Sequence, residues 1–365
     1  MVEPRAAKLE EFDHIINHIN NVFRINRGYN PTMQQEFPLL LNKNNIDNII
    51  VIKEDGKIVS AVNFLIQEIM VEGVSLKSAS IGAVCTDPDY EKRGYSSKIL
   101  DYVEKQIYDK GVDLLLISGN RNLYTRRMAT QVKCFYRYNI QPKNVNLDIS
   151  INEYNEKYIP EMIKRYNQNG TKFYRTKKNF EILLNSATIP WGNYSYKKFV
   201  IKKKNEFIGY MVLRIIDEKE KWGQIIELSL PNKYVYDLLS HMAKQYSLKY
   251  IKYYVHIKDY VNQLENFDKR ELDFLRGTVK VINFSQMMRK LYKYMAQYMD
   301  EQMLDNLTFT QEKDIYKMKY KNQELKSYNL DELNKLIFEN TNEKNEILSK
   351  IFPLNFIWPA NLNFQ

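Results

Sequence analysis

The chain has 365 residues, and at roughly 150 residues per domain that length favours two or three domains over one. Hydrophobic residues make up 44% and charged residues 27%, figures that exclude a disordered, collagen-like or coiled-coil chain and allow a packed core. The net charge of +10 would suit a polyanion, but the lysines are spread along the chain and Lys, Asn, Ile and Tyr are abundant together, so no nucleic-acid partner is expected.

Two cysteines, Cys85 and Cys134, cannot make a disulfide framework, and the opening MVEPRAAKLEEF has no apolar signal segment. No stretch approaches the roughly 18 apolar residues of a membrane span. A soluble cytoplasmic protein without a membrane partner is the expectation.

In chain order, Val2 to Ala6 reads as a short strand, and Leu9 to Phe23 as a helix with Phe12, Ile15, Ile16, Ile19 and Val22 at helical spacing. Ile49 to Ile52 and Ile58 to Phe64 are strands joined by a turn containing Asp55-Gly56, a hairpin signature. A third strand, about Leu76 to Thr86, leads through Asp87-Pro88 and a glycine turn into an amphipathic helix, Ser97 to Tyr108, stopped at Lys110-Gly111. Leu114 to Ile117 is apolar on both faces and suits a buried, partly parallel sheet. This α/β unit is expected to end near Ser150.

The middle of the chain repeats the order more faintly. Phe199 to Ile201 and Phe207 to Ile215 echo the hairpin, Ile225 to Leu228 the third strand, Tyr234 to Gln245 the helix and Tyr250 to Val255 the next strand. In place of the glycine turn stands Ser229-Leu230-Pro231-Asn232-Lys233. Asp268-Lys269-Arg270 reads as a linker or surface loop. Val279 to Phe284, a helix from Gln286 to about Tyr298, strands at Leu307 to Phe309 and Ile315 to Tyr320, and a helix from Leu330 to Phe338 make a small α+β unit. The apolar Phe352 to Trp358 is expected to dock. The expected division is 1–150, 151–275 and 276–365.

Chemistry concentrates at Val84-Cys85-Thr86-Asp87-Pro88-Asp89-Tyr90-Glu91-Lys92-Arg93-Gly94-Tyr95-Ser96-Ser97. A helix mouth offers unpaired N–H groups and a positive dipole end, and here Lys92, Arg93, Gly94, Ser96 and Ser97 join it, a set suited to a diphosphate. The turn lacks the Lys-Ser/Thr ending of a nucleotide-triphosphate loop and the three glycines of a dinucleotide fingerprint. His14 and His18, four apart, have no third ligand, so no metal is expected.

The pattern P-x-Y-x-x-R-G-Y-S-S-x-I-L after a strand resembles motif A of the GNAT superfamily of N-acetyltransferases, and Ser118-Gly119-Asn120-Arg121-Asn122-Leu123-Tyr124 resembles its motif B. Over nearly its full length the chain is similar to the Eis-type subgroup. That resemblance implies tandem GNAT-like mixed-sheet α/β domains, the second without a cofactor loop, and a C-terminal sterol-carrier-like α+β domain. It further implies acetyl-CoA as cosubstrate, a primary amine of a small molecule or peptide as acceptor, and a homo-oligomer, often a hexamer. By the same resemblance, Val84, Cys85, Thr86, Lys92, Arg93, Gly94, Tyr95, Ser96, Ser97 and Asn120 bind the cofactor. Tyr124 protonates the departing thiolate, and the carboxylate of Gln365 is the candidate base.

Two features depart from the family pattern: Glu91 stands where Gln or Arg is usual, and Thr125-Arg126-Arg127-Met128 follows Tyr124 in place of a Gly-aromatic pair. They motivate a second reading, a GNAT-fold binding or scaffold protein with weakened chemistry. Cys85 is expected to be a core residue, with acetyl transfer proceeding directly to the amine.

Overall fold

The structure is a computed structural model and describes residues 2–259, 270–321, 323–339 and 345–364; of the expected linker, Asp268 and Lys269 lie outside them. The N-terminal part runs β1 (Arg5–Ala6), α1 (Phe12–Phe23), α2 (Met33–Glu36), β2 (Ile49–Glu54), β3 (Lys57–Val71), β4 (Val74–Thr86), α3 (Tyr95–Asp109), β5 (Leu114–Ile117) and α4 (Asn122–Thr125). The first expected helix starts later than its apolar spacing suggests, because Leu9–Glu11 form a 3-10 turn before α1. Asp55 and Gly56 both take positive φ, 48° and 79°, so the Asp-Gly pair closes the β2–β3 hairpin as expected.

These strands form a sheet in the order β1-β2-β3-β4-β5 with helices on both faces. The period-2 alternation of β4 explains the sandwich: Val84 packs with Ile99, Leu100 and Val103 of α3, while its neighbour Cys85 packs with Ile15 and Ile19 of α1. β4 and β5 are parallel and the other neighbours antiparallel, so the sheet is mixed.

The same plan recurs further along. After β6 (Lys133–Ile140), β7 (Ser150–Glu153), α5 (Ile159–Asn167), β8 (Lys172–Phe173) and α6 (Lys177–Ser186), the chain forms β9 (Tyr194–Lys203), β10 (Glu206–Asp217), β11 (Lys221–Ser229), α7 (Val235–Gln245) and β12 (Ile251–His256). The order β9-β10-β11-β12 copies β2-β3-β4-β5, with α7 standing for α3. Gly209 shows what replaced the glycine turn: a Cβ there would lie 2.3 Å from the Ser229 carbonyl oxygen and 3.1 Å from Leu230 Cα, so the loop after β11 folds down onto β10.

Pairing does not follow chain order between the two sheets. β6, inside the expected 1–150 unit, lies antiparallel to β12 in the second sheet, next to β13 (Arg270–Phe274). β14 (Thr278–Val281), inside the expected 276–365 unit, lies antiparallel to β5 in the first. Each repeat thus completes its sheet with a strand from outside it.

The C-terminal part adds the three-stranded antiparallel sheet β15 (Leu307–Glu312), β16 (Ile315–Tyr320) and β17 (Gln323–Tyr328), with helices Phe284–Lys290 and Leu330–Phe338 against it. The single helix expected over Gln286–Tyr298 is two, because Leu291 at ψ −5° leaves the helical path and Tyr292–Met295 starts a second. Phe352–Trp358 docks: Trp358 stacks on Tyr254 with ring centroids 3.9 Å apart.

Gly277 fixes β14 against β5. Its φ is +107°, and a Cβ would stand 2.1 Å from the Ile117 carbonyl oxygen. Gly277→Ala is expected to lose at least about 2 kcal/mol of stability, from backbone strain and the displacement of Ile117. Urea unfolding monitored by circular dichroism measures it.

Candidate active site

β4 and β5 part company partway along. They pair from Ser78–Leu114 to Ile81–Ile117, after which β4 continues to Thr86 while the chain leaving β5 turns away at Ser118. A bulge drives the divergence: the register against β3 slips between Ala61–Cys85 and Asn63–Gly82, and Ala83 takes φ 50°, held by Asn63 Nδ2 donating to its carbonyl at 2.9 Å. From Gly82 to Thr86, β4 therefore has no strand beside it on the β5 side among the described residues. An extended polar chain entering there would find unpaired backbone groups to bond.

The slot ends at the mouth of α3. Lys92 (φ 62°) and Gly94 (φ 78°) are both left-handed, and no described group accepts from the N–H groups of Lys92, Arg93 or Gly94. These amides lie at the positive end of a 15-residue helix, at the place where the sequence leads to the expectation of an anion cradle. A chain of hydroxyls ties it to the sheet: Thr86 Oγ1 lies 2.9 Å from Ser60 Oγ and 2.8 Å from Ser96 Oγ.

Not every expected side chain turns to the cradle. Arg93 leans back over the Tyr90 ring, 4.6 Å from its centroid, and lies 3.5 Å from Glu54. Tyr95 buries its ring in the α3-side core and gives its hydroxyl proton to Glu54 at 2.5 Å, so the loop receives only its backbone. Lys92 and Asn120 are exposed. A cation outside the expected set takes a place instead: Arg126 donates to Ser97 Oγ at 2.7 Å, at the first turn of α3. Its position two residues after Tyr124 was the signal available in the sequence.

Cys85 is buried, and loss of solvation pushes its thiol up to about 12, so it is not a thiolate nucleophile at neutral pH. Tyr124 is buried too, its ring so close to Gly119 that a Cβ there would lie 2.9 Å from Tyr124 Cε2. Arg121 Nη2 donates to the Tyr124 hydroxyl oxygen at 2.9 Å. The phenol oxygen is thus the acceptor in that bond, and its own proton is left to give. Thr278 Oγ1 donates to the Gly119 carbonyl at 3.1 Å, so β14 steadies this loop.

On the far side of the slot lies a cavity of about 490 Å³ that reaches Ala83 and Ser118. Its walls are aromatic, with Phe37 from the N-terminal part, Trp191 from the turn before β9, Tyr196 and Trp222 from the second sheet and Trp358 and Phe364 from the C-terminal segment. No sequence pattern assembles residues so far apart. Gln365, the expected base, lies outside the described residues. Among the described residues no group of three or more His, Cys, Asp or Glu side chains could hold a metal ion, and no helix is long and apolar enough to cross a membrane.

Two parallel strands thus splay, and a helix mouth with unpaired amides lies at the splay. Residues 3–128 match the family model of the acetyltransferase (GNAT) domain, and this part of the chain is a GNAT domain. Among solved structures the chain is similar to a GCN5-related N-acetyltransferase from Anabaena variabilis, at 12% identity and TM-score 0.64, covering 100% of this chain and 96% of that one. A probable N-acyltransferase from Enterococcus faecalis matches at 15% identity and TM-score 0.60, covering 80% and 75%. Eis1 from Mycobacterium abscessus matches at 12% identity and TM-score 0.52, covering 80% and 76%. These likenesses show a shared GNAT fold. No match to a curated protein was found.

Proposed function

We propose that the chain transfers the acetyl group of acetyl-CoA directly to a primary amine of a small molecule or peptide. The observation that carries this reading is the alignment of the unpaired β4 edge, Gly82–Thr86, with the free amides of Lys92, Arg93 and Gly94. The cradle would hold the diphosphate, and the β4 edge would bond the pantetheine arm as an added strand and polarise the thioester carbonyl. Acetyl-CoA supplies the activated acyl group. The amine nitrogen, reaching Ala83 and Ser118 through the aromatic cavity, forms the new C–N bond as the C–S bond breaks, and the one proton it sheds passes through solvent to restore the Tyr124 phenol. Tyr124 gives its phenolic proton to the leaving sulfur, while the Arg121 guanidinium stabilises the phenolate that remains.

In this reading residues 1–150 form the catalytic unit, 151–275 a GNAT-like unit without a cofactor loop and 276–365 a sterol-carrier-like unit, with β6 and β14 exchanged between sheets. Titration of acetyl-CoA in a calorimeter, paired with thiol release over a panel of amines, tests the assignment. Binding with turnover supports it; no heat and no thiol release defeat it.

A further inference from the structure

The charges lining the aromatic cavity select among amines, and this inference rests on the acetyl-transfer reading above. Five charged side chains line the cavity: Arg24, Glu36, Arg214, Lys252 and Arg276. Glu36, the one acid among the described residues of the lining, is already committed. Arg24 Nε and Nη2 donate to the two Glu36 oxygens at 2.8 and 2.5 Å, and Thr32 Oγ1 donates at 2.6 Å, so that buried pair is neutral as a unit.

The other three are cations with no carboxylate partner among the described residues. Arg214 donates to Gln224 Oε1 at 2.6 Å and lies over the Tyr194 ring; Lys252 Nζ sits 4.1 Å above the Trp222 ring; Arg276 is exposed beside Ser118 at the slot. Arg214 and Lys252 are thus held by neutral or aromatic groups, with no carboxylate in direct contact among the described residues. Desolvation, then Arg137, with Arg276 adding to them, push the Lys252 ammonium pKa down, and the more distant Asp273 and Glu218 carboxylates offset only part of that.

Such a cavity repels polycations. It also favours the free-base form of a bound amine, the form that attacks, because neighbouring positive charge disfavours an ammonium. We infer that the acceptor is an amine built on an aromatic or apolar body and carrying an oxyanion, a carboxylate or phosphate, which pairs with Lys252, Arg214 and Arg276 while the body lies among Trp191, Tyr196, Trp222 and Trp358.

All three tryptophans of the chain line this cavity, so intrinsic fluorescence reports its occupancy whether or not turnover occurs. Matched pairs are titrated: phenylalanine against phenethylamine, tyramine O-phosphate against tyramine, and spermidine as a polycation. The anionic member of a pair is expected to bind about tenfold more tightly or better, the scale of a charge-assisted hydrogen bond. Which pair shows the larger ratio tells carboxylate from phosphate. Lys252→Met, and Arg276→Gln at an exposed position where folding is safe, should bring the ratio toward one, with KM moving more than kcat wherever the pair is acetylated. Equal binding within both pairs, tighter spermidine, or variants that weaken both members alike would overturn the inference. Acetylation that ignores charge defeats this inference alone, whereas failure to bind acetyl-CoA defeats the transferase reading.

Discussion

Tyr124→Phe is expected to lower kcat by about a hundredfold or more with little change in acetyl-CoA affinity, the range in which a positioned general acid contributes. The phenylalanine ring keeps the packing against Gly119, so the fold should be unharmed; only the hydroxyl that accepts from Arg121 disappears. Since the diphosphate cradle belongs to a different stretch of chain, Lys92 to Ser97, calorimetry should find the cofactor bound as before. Arg121→Gln gives a milder form of the same defect, about tenfold, because the phenol stays and loses only a charged donor to its oxygen. Steady-state thiol release separates these outcomes. An unchanged rate in Tyr124→Phe, with the cofactor still bound, would return the chain to the scaffold reading raised by Glu91 and by the sequence after Tyr124.

The parts of this site that could be read from residues are those built by local physics. The Asp55-Gly56 hairpin, the strand ending at Thr86 and the helix expected over Ser97 to Tyr108 each follow from neighbours in sequence; all three form, the helix starting two residues early at Tyr95. The strand exchange could not be read. Lys133–Ile140 carries the same mixture of aromatic and polar residues whichever sheet it joins, and only the open edge of β12, more than a hundred residues away, decides. Short-range rules also say little about where individual side chains rest. Arg93 beside Gly94 looked committed to an anion, yet the ring of Tyr90 and the Glu54 carboxylate lie closer to hand and take it. Conversely, Arg126 looked like a break in the family pattern and supplies a cation to the first turn of α3. The aromatic cavity is the extreme case, since its walls range from Phe23 to Phe364 and exist only after every sheet has formed.

That dependence makes Arg175 a test of how the site is held together. Its side chain is 1% exposed, and it donates through Nη1 and Nη2 to both oxygens of Glu227 at 3.0 and 2.7 Å and through Nε to Asn363 Oδ1 at 2.6 Å. Tyr210 adds a fourth bond, its hydroxyl donating to Glu227 at 2.8 Å. Burial works against the guanidinium charge, but Glu227 more than offsets it, so the pKa is raised and the pair stays ionised. Arg175→Met would strand the Glu227 carboxylate in the core, a loss of about 3–5 kcal/mol of stability, measurable by urea unfolding. Arg175→Met combined with Glu227→Gln should recover part of it, since no unpaired charge remains. Asn363 lies between Leu362 and Phe364, both in the wall of the aromatic cavity, so losing the Arg175 bond loosens that wall. At temperatures where the single variant is still folded, KM for the amine should therefore rise while acetyl-CoA affinity, set by a loop in the other sheet, stays put. A purely structural role for Arg175 predicts the stability loss and no such split.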